Sequence, residues 1–404
     1  MLRIRFETLK AVLTSEYWLV LTLLGAFFVF FGLNRGGVEP LMKLTIALLI
    51  VNTLISKRRL QNIPVSYWVF GTICAYLLLV SILVSFQASY VKWMANLVKM
   101  AGVVLGIHCL SEKETPGWIV SLFAIILSLT VCWQFAALHL IDMAFGTFTN
   151  QHYLATFAVL ALPIVIYFFW ITTGWYRFIF AAIAIMDADL LLRTGSRIAF
   201  LGIFMSTLLV LIFLVKASRK WVGIGLVCLV PITLYVADYP IFALRFKDFI
   251  ENFMASLSVQ SRIQLWTKAW IKIEGSSLFA WIFGHGIGHF SIPYTQDSIV
   301  IINHVSPHCY FLELLYLNGV IGVVVIFGGL TWVLFSLIRL AVKCEQREIR
   351  LLSMSLIVVL LTWFIHSGLT LPFYSKYSQY PLAFALGSAL AFIEKAKRDM
   401  TVER

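Results

Sequence analysis

The chain is 404 residues long, 61% hydrophobic and only 12% charged, with a mean hydropathy of +0.92. A soluble domain of this size cannot hide so much apolar surface, so the composition specifies an integral membrane protein. The formal charge of +12 would suggest nucleic acid in a soluble chain; here no nucleic-acid partner is expected, and the placement of the charge matters more than its sum.

Arg3, Arg5 and Lys10 precede the first apolar run, and no small-x-small cleavage site follows it. The run therefore reads as an uncleaved first span. Apolar runs continue at 17–33, 40–56, 64–86, 94–110, 118–143, 152–171, 178–192, 198–216, 221–238, 309–338, 351–371 and 381–394. The expectation is an all-α polytopic membrane protein of about twelve spans, a single integral membrane domain over 1–404 with one long loop at 239–307. Nineteen of the 31 Lys and Arg lie in tails and loops on the N-terminal side, including Lys57, Arg58, Arg59, Arg347 and Arg350. The positive-inside rule then puts both termini in the cytoplasm and the long loop outside. Six cysteines are scattered, with no C-x-x-C, so neither a disulfide framework nor a structural zinc site is indicated.

Polar groups gather at the outer edge. The seventh span ends Asp187-Ala188-Asp189-Leu190-Leu191-Leu192-Arg193, and Thr194-Gly195-Ser196-Arg197 makes the turn into the eighth. Asp189 and Arg193 are four apart and suited to pair on one helix face. Arg193 and Arg197 carry the planar fork that matches a phosphate. In the long loop, Phe246, Phe249, Ile250, Phe253, Met254 and Leu257 recur at helical spacing. Ile263, Trp266, Trp270 and Ile273 form a second apolar face, with Arg262, Lys268 and Lys272 elsewhere. Both segments read as helices lying in the membrane interface, roofing a cavity for a substrate with a lipid tail and a polar head.

The stretch Asn303-His304-Val305-Ser306-Pro307-His308-Cys309-Tyr310 opens the next span. Ser306 reads as an N-cap and Pro307 as the first helical residue, which puts His308 in the first turn. A helix N-terminus attracts anions and disfavours imidazolium, so His308 is expected to be a neutral base. Gly319 and Gly322 fall on its face, where small residues let a neighbouring helix approach. The pairs His285/His289 and His304/His308 have i, i+4 spacing, but the first lies in Gly284–His289 with its three glycines and Pro307 interrupts the second, so no metal site is expected. His366, near the outer end of the eleventh span, reads as a packed group rather than a catalyst.

His308-Cys309, nine residues, Gly319, two residues and Gly322 together resemble the signature of the O-antigen ligase and polymerase superfamily of bacterial envelope enzymes. Cys309 departs from the family's usual second residue. Leu192-Arg193-Thr194-Gly195-Ser196-Arg197 resembles the family's outer-loop arginine motif, and Ser261-Arg262 with Leu265-Trp266 its long-loop helix. Gly284 to Phe290 is similar to its glycine-rich turn, and Gly146 to His152, including Asn150, to its loop before the sixth span.

The resemblance implies a GT-C-like inverting glycosyltransferase that uses no metal or other cofactor. It further implies a donor of undecaprenyl pyrophosphate-linked O-antigen and, for a ligase, lipid A–core as acceptor, at the periplasmic face of the inner membrane of a Gram-negative bacterium. By that resemblance His308 handles the acceptor hydroxyl, and Arg193, Arg197 and Arg262 hold the pyrophosphate. Asp189, Asn150, Gly319 and Gly322 support them, and membrane lipids surround the whole; the oligomeric state is not implied. A polymerase using the same donor is the nearest alternative, and the single long loop favours the ligase. A transporter of lipid-linked glycans shares the twelve-span plan, but no corresponding pair of Gly/Pro-interrupted spans suggests repeats.

Overall fold

The computed structural model describes residues 64–84, parts of 94–107, 116–141, 150–215, residue 224, and 257–402 apart from 287–289, 291, 297–298, 372 and 374–375. The expected spans at 17–33, 40–56 and 221–238, and the amphipathic pattern from Arg245 to Met254, lie outside these residues. The described elements are α1 (Val65–Val84), α2 (Pro116–His139), α3 (Gln151–Ile171), α4 (Tyr176–Arg193), α5 (Arg197–Leu214), α6 (Leu257–Glu274), α7 (Leu278–Phe283), β1 (Ile292–Gln296), β2 (Ile299–Val305), α8 (Tyr310–Lys343), α9 (Arg347–Gly368) and α10 (Lys376–Val402).

Four of these helices, α3, α5, α8 and α9, are long and apolar enough to cross a membrane. The chain is accordingly an integral membrane protein, and its described residues are almost wholly helical. One correction is needed to the all-α expectation. Ile292–Gln296 and Ile299–Val305 pair as antiparallel strands, with Ile292 opposite Val305 and Pro293 opposite His304. The second strand, Ile299-Val300-Ile301-Ile302, is a β-branched run, which suits a pleated strand better than a helix.

α9 is the central element, packed against α3, α5, α8 and α10. Its buried face runs through Leu356, Val359, Leu360, Trp363, His366 and Ser367. Against α5 the approach is close at Gly202, whose carbonyl accepts from Thr362 Oγ1 at 3.4 Å. Small residues are how helices pack tightly where lipid supplies no hydrophobic drive between them.

α8 is the exception to regular geometry. Gly319 sits at φ 64°, ψ −173°, a conformation essentially reserved for glycine, and breaks the helix there. The part after the break, 320–343, is roughly 36 Å long, enough by itself to cross the hydrocarbon core. The break frees carbonyls that the helix would otherwise use. The backbone N–H of His285 donates to Tyr316 O at 3.0 Å, and that of Gly286 to Leu317 O at 2.8 Å. Gly284 (φ 84°) turns the chain out of α7 to make this contact, and a Cβ on either Gly284 or Gly319 would run into the other segment's backbone. The turn is reinforced by a stack in which Tyr316 lies between His285 and Phe290, each with centroids 4.2 Å away. Gly319 thus serves a loop-to-helix backbone contact rather than the smooth helix–helix face expected for it. The Gly322 face is covered by Asn318 of the same helix, with Leu77 of α1 beyond.

An apolar groove runs between α1, α8 and α10, lined by Ile73, Leu77, Leu330, Val333 and Leu386, with Phe373 also on its wall.

Candidate active site

The turn between α4 and α5 is set by its own side chains. Thr194 Oγ1 donates to Leu191 O at 2.6 Å and accepts the backbone N–H of Ser196 at 3.2 Å. Ser196 then caps α5, its Oγ accepting from Ala199 N at 3.4 Å. Two helices therefore meet across three residues, with Arg193 at the end of one and Arg197 at the start of the next. The expected pair forms: Arg193 Nε lies 3.0 Å from Asp189 Oδ2 and 3.3 Å from Oδ1. Asp189 also meets His139 Nε2, from the end of α2, at 2.8 Å. Asp189 thus takes up part of the Arg193 charge and joins α2 to α4. Asp187, by contrast, is fully buried.

Within α6, Leu265, Ala269 and Ile273 are the buried residues, whereas Ile263 and Trp270, of the face expected to lie against the membrane, are 45% and 44% exposed. Residues 262, 265, 266, 269 and 273 follow the helical repeat and form the inward stripe. Arg262 is therefore on the packed side, not opposite it. Burial, and then the like charge of Arg197, hold its pKa below the ordinary value. A guanidinium has so high an ordinary pKa that it stays charged regardless. Trp266, one turn along the same stripe, donates its indole N–H to the carbonyl of Pro307 at 3.0 Å.

His308 requires the second correction. α8 begins at Tyr310 with Cys309 as its N-cap, and Ser306 does not cap it. Ser306 Oγ instead accepts the backbone N–H of His308 at 3.3 Å, a local turn at the exit of β2. His308 has φ 50°, the one described non-glycine residue with positive φ. That conformation costs about 1–2 kcal/mol and stops a helix from starting earlier. The imidazole is kept neutral, as expected, but chiefly by burial and next by the charge of Arg262; the Thr370 backbone, in hydrogen-bonding reach, opposes them. The helix N-terminus is not the main cause.

The structure therefore brings Arg197, Arg262 and His308 into one electrostatic neighbourhood near the N-terminal ends of α5, α6 and α8. Arg193 lies one turn of chain away, engaged by Asp189. Asn150 caps α3, its Oδ1 accepting from His152 N at 2.7 Å, so its observed work is to fix that helix end. His152 stands 6.2 Å, ring to ring, from the fully buried His366, whose Nδ1 is 3.3 Å from Thr156 Oγ1. Of the histidine pairs, His289 lies outside the described residues, and His304 lies on a strand, so i, i+4 helical alignment with His308 does not arise.

Sequence reasoning passed over Glu313. This acid lies in the first turn of α8, is 2% exposed, and accepts the backbone N–H of Phe373 at 2.9 Å. A lone acid inside an apolar run is itself a signal, because burying it without a partner is costly. The indole bond of Trp266 left no such trace, since a tryptophan on an apolar stripe looks like packing.

No curated protein matches the chain. A family model described as O-antigen ligase matches residues 182–327, a stretch that takes in Arg193, Arg197, Arg262, His308, Gly319 and Gly322. Over that stretch the chain is similar to the O-antigen ligase family.

Proposed function

We propose that this protein is an O-antigen ligase, moving O-antigen from undecaprenyl pyrophosphate to the lipid A–core oligosaccharide on the periplasmic side of the inner membrane. The observation that carries the reading is the meeting of two guanidiniums, Arg197 and Arg262, with a neutral imidazole, His308. Fixed positive charge is what a departing pyrophosphate needs, since negative charge accumulates on it as the glycosidic bond breaks. A neutral imidazole is what an attacking sugar hydroxyl needs, since it has to shed a proton as it becomes a nucleophile.

In the proposed step the acceptor hydroxyl oxygen attacks the anomeric carbon from the face opposite the pyrophosphate. The carbon–oxygen bond to the leaving group breaks, the bonding pair departs with the pyrophosphate, and His308 receives the hydroxyl proton. The anomeric configuration inverts, and no covalent bond to the enzyme forms. Arg193, tethered to Asp189, supplies a third cation close by. The apolar groove between α1, α8 and α10 offers a seat for the prenyl tail, because its wall reaches Phe373, which packs on Tyr310 with rings 5.2 Å apart, two residues from His308.

His308→Ala should reduce glycan transfer by at least about 10²-fold in a purified assay with the polyprenyl-linked donor and lipid A–core. Undiminished transfer would remove His308 from the chemistry. A polymerase using the same donor is the second reading, which the family match does not separate from the first. A deletion strain separates the two on a gel: lost ligation leaves polymerised glycan on the lipid carrier, whereas lost polymerisation leaves single repeats on core.

A further inference from the structure

α7 is docked at a fixed height on α8, and there it turns an apolar face away from the rest of the protein. Its last turn lies against the break in α8: the Ile282 carbonyl and the Phe283 nitrogen occupy the space that a Cβ on Gly319 would fill, and Gly284 stands in the same way against the Leu317 carbonyl. Leu278, Phe279 and Ile282 share one side of α7 by the helical repeat, and they are 77%, 59% and 37% exposed. No charged residue occurs from Gly275 to Gly284. Beside this face the exposed Trp270 of α6 meets the half-buried Trp281 edge-on, with rings 6.0 Å apart.

The height follows from α8. The next charged residue after Gly319 is Arg339. The apolar stretch 320–338 between them is roughly 28 Å long, close to the about 30 Å of a bilayer's hydrocarbon core. Val320, Val324, Phe335 and Ile338 are exposed along that length, as the lipid-facing residues of a span are. With Arg339 at one boundary of the core, Gly319 falls at the other. α7 is seated on Gly319, so its exposed face lies where the acyl chains begin.

We propose that α7 is a membrane-seated element: Leu278, Phe279 and Ile282 lie among the upper acyl chains of the leaflet nearer His308, with Trp270 and Trp281 at the headgroup boundary. Lipid is the occupant because the face adjoins, at Gly319, the exposed Val320 of the spanning stretch. It also carries no charge or hydrogen-bonding side chain that would orient a protein partner. Tryptophan is the residue type that suits the boundary itself, with an apolar ring and a polar N–H. Six residues are too few to hold an interfacial helix by themselves. Here the backbone bonds from His285 and Gly286 to α8 fix α7 on one side, and lipid holds it on the other. The placement does not depend on the chemistry at His308.

The test uses the full-length chain in an otherwise cysteine-free form, reconstituted at one copy per nanodisc. Leu278→Cys, Gly275→Cys and Val324→Cys each carry an environment-sensitive fluorophore. Lipids with a nitroxide on the upper acyl chain should quench the probe in Leu278→Cys and Val324→Cys, and aqueous iodide should quench Leu278→Cys at least about fivefold less than Gly275→Cys. Equal iodide quenching in Leu278→Cys and Gly275→Cys would overturn the proposal. So would protection from iodide without nitroxide quenching, because protein would then cover the face. Protection that arises only when several copies share a disc would make a second copy the occupant, and overturns it too. The unsubstituted chain gives a second measurement that needs no cysteine-free background. Lipids with a diazirine on the acyl chain should leave adducts on Leu278–Phe283 as they do on Val320 and Val324; adducts on α8 with none on α7 would overturn the proposal.

Discussion

At the scale of single residues, His308 and Arg262 define each other. Burial first, and the guanidinium second, press the imidazole toward its neutral form. The acid limb of the pH–rate profile should therefore lie below the ordinary histidine value of about 6.5. The sign follows directly: a lowered pKa means protonation, and loss of the base, occurs only at more acidic pH. Replacing Arg262 with Gln removes a positive charge that disfavours imidazolium, so the limb on the residual activity should move upward. It should not pass the ordinary value, because burial persists. A profile unchanged in Arg262→Gln would mean that the two side chains do not interact during turnover. Total activity should fall as well, since Arg262 is also assigned to the leaving pyrophosphate.

At the scale of elements, the decisive feature is the joint between α7 and α8. Gly319→Ala would force a methyl group toward the Ile282 carbonyl and impose a side chain at φ 64°. The backbone strain alone is worth about 1–3 kcal/mol, and the collision adds to it. Gly328→Ala, later in the same helix where no atom lies within 4 Å of a new Cβ, should be harmless. Thermal unfolding of the two purified variants makes the comparison: a clear drop for the first and none for the second. Much here was legible beforehand. The spacing from His308 to Gly319 and Gly322 pointed to the stretch, and the apolar runs located α3, α5, α8 and α9. The break at Gly319 was not legible, because a glycine in a span reads equally as a packing notch and as a turn. The start of α8 was misjudged for a similar reason: Ser306-Pro307 has the residue types of a helix start, but the strand before it uses them to leave the strand pair. On α6 the pattern of large apolar residues picked one face, whereas the packed stripe combines Arg262 and Ala269 with Leu265, Trp266 and Ile273.

At the scale of the whole molecule, the proposed chemistry makes sense on only one side of the membrane. Arg197, Arg262 and His308 gather at the ends of α5, α6 and α8, opposite the end where Lys343, Arg347 and Arg350 crowd the α8–α9 connection. Basic residues are retained in the cytoplasm, so that connection should face inward and the site outward. A cysteine introduced at Gly275, beyond α6 and exposed, should react with a membrane-impermeant maleimide in intact spheroplasts. A cysteine at the exposed Glu345, between α8 and α9, should react only after permeabilisation. Both belong in a background without native cysteines, because Cys132 is also exposed. The two probes lie on opposite sides of α8, so a single span enforces opposite labelling. Reversed labelling would place His308 and its arginines in the cytosol, where a periplasmic transfer to lipid A–core cannot occur, and would overturn the ligase and polymerase readings together.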